Sequence, residues 1–212
     1  MDTKWTPGSS YAPTLSTTDV YLLGVNGGLK QIELHPVLTH SLPSFHLVFN
    51  LANGQTGGYD NSKPNDDLDF AMGDQPATCP RVNEIHILTK WAPWITTVKA
   101  SNPKRGITLT DVVSGLWATY GELPITDSEW GTLPVREQER VRRSNVNNQM
   151  AIQPNNMWPG AAFSPSPNKD RFRRADWLRD KIFFDGLEVD DDYAEKRLGF
   201  KAPNVFIMSL CA

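Results

Sequence analysis

The chain has 212 residues, 39% of them hydrophobic, and a formal net charge of −3; it can bury a core without disulfide or metal staples and lacks the global positive field that holds a nucleic acid or an anionic membrane. Its two cysteines, Cys79 and Cys211, are too few and too far apart for a disulfide framework and read as reduced thiols. The start Met1-Asp2-Thr3-Lys4-Trp5 has no basic, apolar leader, and no apolar run reaches membrane-spanning length, which predicts a cytoplasmic or nuclear protein with no membrane partner.

Residues 1–31 are rich in Ser, Thr, Gly and Pro and read as an N-terminal arm, with Val20-Tyr21-Leu22-Leu23 as at most one strand before the turn Asn26-Gly27-Gly28. Residues 32–212 are expected to form a single α+β domain. Phe45 to Leu51 alternates large apolar residues with others, the period of a strand. From Asn53 to Pro80, with Gly57-Gly58, Asp66-Asp67 and several prolines, the composition predicts a long acidic loop. Glu84 to Lys90 and Ile95 to Ala100 flank Trp91-Ala92-Pro93-Trp94 and predict a hairpin with an aromatic connection.

Thr108 followed by Asp111 is a capping signature for a helix over 109–121, with Val112, Val113, Leu116, Trp117 and Tyr120 at helical spacing and Gly121 and Pro124 as the stop. Thr126 caps a short turn with Glu129, and Pro134 opens a polar helix to about Asn148 in which Glu139 and Arg143 are four apart. Residues 151–169 hold four prolines and read as a loop, and Phe172 to Phe184 returns to the core. Asp190-Asp191-Asp192 starts a short helix through Arg197, and Val205 to Leu210 is a strand expected to join the hairpin. The fold class expected is therefore α+β: a small, mainly antiparallel sheet with a central hairpin, packed against a few helices, with a long irregular N-terminal region and loops.

An ordered set of short motifs adds to this reading: Leu34-His35-Pro36-Val37-Leu38, Pro76-Ala77-Thr78-Cys79-Pro80, Pro93-Trp94, Thr108 to Val113, Arg173 to Leu178, and Phe184-Asp185-Gly186-Leu187. In this order and spacing they resemble the fungal family catalogued as domain of unknown function 6699, over roughly residues 32–188. The resemblance implies an α+β domain and no chemistry. The stretch 53–75 and the loop after Met150 depart from the family pattern, so no role is carried over to them.

His35, His40 and His46 lie close in sequence, but their spacing does not place three imidazoles on one face, and no metal is expected. No Gly-x-Ser-x-Gly elbow, Walker loop or Rossmann glycine pattern is present, so no cofactor is expected either. Basic residues at Arg136, Arg140, Arg142 and Arg143 and from Lys169 to Lys181 are interrupted by Glu137, Glu139, Asp170, Asp176 and Asp180, which suits a solvated helix face better than RNA.

Two functional readings follow. Seven tryptophans are many for this length, and Trp91, Trp94, Trp117 and Trp158 are the candidates for an aromatic-lined face that captures a protein or a small apolar ligand, with a homo-oligomer compatible with the same surplus. The alternative is a hydrolase or isomerase in which His46 or His86 works with a carboxylate such as Asp111 or Asp176.

Overall fold

In the computed structural model, residues 3–5, 13–25, 32–152 and 172–212 are described. Among them the chain forms nine strands and six α-helices, the α+β class that the pattern predicts.

The largest sheet has four strands: β6 (Glu84–Thr89) and β7 (Thr96–Lys99), which form the expected hairpin, then β8 (Phe183–Glu188) and β9 (Val205–Cys211), in the spatial order β7-β6-β9-β8. The β6–β7 and β8–β9 pairs are antiparallel, whereas β9 joins the hairpin parallel to β6, with His86 opposite Val205. Alternation along β6 and β9 divides their side chains between two faces. Ile85, Ile87, Phe206 and Met208 enter the main core with Leu109, Leu116 and Tyr120, while Leu88, Val205 and Ile207 form a smaller cluster with Ala194.

Helix α2 (Leu109–Trp117) covers the main-core face. Thr108 caps it, with its hydroxyl accepting from Asp111 N while Asp111 accepts from Thr108 N, and a π-helical turn over Ala118–Glu122 continues it past Gly121 to Glu122. Gly115 brings α2 onto the hairpin: a Cβ there would lie 2.9 Å from Val98 Cγ2. Helix α3 (Asp127–Thr132) starts in the expected Thr126–Glu129 capping box. The polar α4 (Val135–Ile152) is joined to the short α5 (Arg174–Trp177) through Asp176. Helix α6 (Asp191–Leu198), capped by Asp190, covers the opposite face of the sheet.

Two segments differ from the sequence reading. The run 20–23 is not a strand: it lies in helix α1 (Thr17–Val25). Ser16 and Asp19 form a capping box there, Asp19 Oδ2 accepting from Ser16 N at 2.9 Å and Ser16 Oγ from Asp19 N at 3.2 Å, and this outweighs the β-propensity of the short apolar run. The stretch 53–80 is not one loop either. It contains β3 (Thr56–Asp60) and β4 (Lys63–Leu68), which with β2 (His46–Phe49) make a three-stranded antiparallel sheet. Thr78–Cys79 forms β5, paired with β1 (Glu33–Leu34). Asp60 closes the β3–β4 turn by accepting from Ser62 N. Gly58 lets β3 lie against β2, since a Cβ would meet Phe45 Cζ and His46 O at 2.5 Å. The acidic composition reflects a solvated hairpin, because β4 is an edge strand and its described side chains are exposed.

Candidate functional site

The sequence candidates fall in separate places. Trp94 is 8% exposed. Its Nε1 donates to Glu129 Oε1 at 2.5 Å, Arg174 stacks on its face at 4.5 Å, and Trp177 and Tyr120 meet it edge-on. All of this surface is consumed in joining the hairpin to α3 and α5. Trp117 packs against the core in the space left by Gly54 and Gly121. Trp91 is 48% exposed, with Lys181 Nζ 5.1 Å above its ring. Trp158 lies outside the described residues.

The four candidates for acid–base work are likewise not brought together. Asp111 is engaged in the α2 cap. Asp176 is wholly buried and accepts from Asn145 Nδ2, Asn148 Nδ2 and Arg173 N. His46 stacks between His40 and Tyr59, with ring centroids 4.0 and 4.8 Å away. His86 Nδ1 lies 3.2 Å from Thr97 Oγ1, and its carboxylate neighbour is Glu84, with Oε1 3.4 Å from Nε2. Among the described residues no three His, Cys, Asp or Glu side chains are arranged to hold a metal ion.

What the structure does build around His86 is a cleft. Residue 86 lies on the α6 face of the sheet, opposite Val205, and so looks away from the main core. Leu15, just before α1, bonds to the segment before β6 through Leu15 N→Arg81 O and Asn83 N→Leu15 O, which sets α1 beside this face. Val20 is buried under the helix, and Gly24 lies beside Pro203, where an added Cβ would make ordinary contact at 3.5 Å. On the other side Gly199, at φ +84, ends α6 and turns Phe200 to Pro203 into a lip, which Lys201 ties back to α6 through Asp192 and Glu195.

Between α1 and this lip lies a cavity of about 620 Å³. Its walls are Val20, Tyr21 and Val25 of α1, Phe200, Ala202 and Pro203 of the lip, and Val189. His86, Asn204, Asp191, Thr17 and Lys201 supply its polar groups. Tyr21, Val25 and Phe200 are 67%, 69% and 57% exposed, an unusual concentration of large apolar side chains in water. The sequence reading missed this cleft. The signal that was present is the Ser16-x-x-Asp19 cap, which turns an apolar run into a helix with Tyr21 and Val25 one turn apart.

Among the described residues no helix is long and apolar enough to cross a membrane. Compared with known proteins, the chain is matched over residues 47–196 by the model of a family of unknown function, DUF6699. No curated protein and no solved structure matches it.

Proposed function

The chain belongs to DUF6699, a family of unknown function, and we propose that it is a non-enzymatic binding module whose cleft between α1 and the lip 199–204 takes up a small apolar ligand. The cavity of about 620 Å³ carries the reading, because its size is that of small-molecule sites and its wall mixes apolar side chains with polar groups that can orient a ligand. Tyr21 and Phe200 supply the aromatic contacts, and covering them removes two large side chains from water. Thr17, Asp191 and Lys201 add polar groups at the rim of the cleft. The sequence candidates Trp91 and Trp94 belong to this proposal in different ways: Trp94 supports the sheet that carries the cleft, and Trp91 is exposed like Tyr21 and Phe200 but does not line the cleft.

A fluorescent apolar probe such as N-phenyl-1-naphthylamine tests it. The wild type is expected to bind the probe saturably, and Tyr21→Ser together with Phe200→Ser to weaken binding by at least about tenfold while the thermal midpoint is kept. Equal binding by the variant contradicts the proposal.

A second reading, acid–base catalysis, has one observation in its favour: His86 lines the cleft and faces Glu84. It requires turnover of an ester or isomerisable substrate that His86→Ala and Glu84→Gln both abolish with the fold intact. The binding module requires that no such activity be found.

A further inference from the structure

A junction remote from the cleft uses two histidines in an unusual way. The turn over residues 35–41 is held to β8 by Leu187 N, which donates to Leu38 O at 2.7 Å. Gly186, at φ +98, allows that contact, since a Cβ there would lie 3.3 Å from Leu38 O, and the β8–β9 register shifts between Phe184 and Leu187. Next to it His40 has φ +53, a left-handed conformation uncommon for a side-chain-bearing residue. Among the described residues its buried Nε2 has no partner within hydrogen-bond geometry, which is rare for a polar atom.

The surroundings of His40 decide what an added proton does. His46, from β2, has its ring centroid 4.0 Å away, tilted by 43°, and Tyr59 of β3 stacks on His46. Phe184 of β8 meets His40 edge-on. Among the described residues the carboxylate paired with His40 is Asp185 of β8, with Oδ1 3.8 Å from His40 Nδ1, and it is half exposed. Cys211 of β9 and Lys181 lie on the Asp185 side. Two imidazolium rings this close repel, and a single half-solvated carboxylate offsets one of them at most.

We propose that this junction is an acid-operated latch: protonation of His40 beside His46 expels His40 and releases the turn 35–41 from β8. Burial first, and then His46, hold His40 below its ordinary value of 6.5, against the opposing pull of Asp185 and a Leu47 backbone bond. A histidine with a lowered folded-state value stabilises the closed form fully above 6.5. That stability is lost as the pH falls from there toward the folded value, because the released side chain takes up the proton first. The latch therefore opens on acidification and is closed at neutral pH.

Amide hydrogen exchange reads the latch directly through Leu187, corrected for intrinsic rates at each pH, with Ile107, which donates to Val82 O, as a remote reference. Between about pH 7.5 and about pH 5.5 the Leu187 protection factor is expected to fall severalfold, up to about tenfold, with Ile107 unchanged. His40→Asn keeps a residue that tolerates positive φ and removes the charge, so the fall should disappear. His46→Gln, which removes the repelling partner, should reduce it. Constant Leu187 protection in the wild type overturns the latch, and so does a fall that persists in full in either variant.

Discussion

Asn148 Nδ2 donates to Asp176 Oδ1 at 2.8 Å inside the protein, where the carboxylate has no exposure to solvent. Asn145 Nδ2 and Arg173 N also donate to this carboxylate, so the helices α4 and α5 are joined through one buried anion. A charge there is tolerated because three donors replace its water. Asp176→Ala leaves these donors without an acceptor and is expected to destabilise the fold by about 3 kcal/mol, measured by urea unfolding. A loss within about 0.5 kcal/mol, the range of ordinary surface substitutions, contradicts the structural role.

Glu129 gives a pH dependence with a definite sign. Burial works against its charged form, but the Thr126 N–H, the Trp94 indole N–H, the Thr126 hydroxyl and the Arg174 charge outweigh it and hold the carboxyl below its usual 4.5. A lowered carboxylate stabilises the fold above its unfolded value and loses that contribution as the pH falls through the folded one. Glu129→Gln is therefore expected to flatten the decline of stability between about pH 5 and about pH 3. The check is a set of denaturant midpoints across that range, and parallel curves for the two proteins contradict the assignment.

Gly58 is set by space rather than by its own backbone angle. A Cβ would lie 2.5 Å from both Phe45 Cζ and His46 O, with β2 and β3 fixed by four register pairs. Gly58→Ala is expected to destabilise by roughly 1–3 kcal/mol through overpacking, which lowers the thermal midpoint by several degrees.

Ser16 connects local capping to the cleft. Ser16→Ala removes the hydroxyl acceptor for Asp19 N and weakens α1 by about 1 kcal/mol. Since α1 forms one wall of the cavity and contributes Val20 to the core, the expected outcome is weaker uptake of an apolar probe with little change in global unfolding. Unchanged uptake would separate α1 from the site.

The elements with local signatures were legible in the sequence. Thr108 and Asp111 announce α2, Thr126 and Glu129 announce α3, and the β-branched runs on either side of Trp91 to Trp94 announce the hairpin, because capping and alternation act over a few residues. Two elements were hidden for opposite reasons. In α1 the four apolar residues 20–23 carry no helical period, and the short Ser16–Asp19 box decides the matter. In β3 and β4 glycines and acids mask a hairpin whose pairing depends on close approach to Phe45. The site was less legible still. Trp94 reads as a free aromatic until Arg174 and Glu129, distant in sequence, are seen to cover it. The cleft needs Tyr21, His86 and Phe200 from three remote segments, and only the parallel addition of β9 to β6 brings the last two together.

The most direct measurement of the central claim is native mass spectrometry of the full chain, purified gently from its own cells. The predicted result is a population carrying the mass of one small molecule, lost in the Tyr21→Ser and Phe200→Ser double variant. A bare polypeptide mass for the wild type, or the same retained mass in the variant, contradicts the binding cleft.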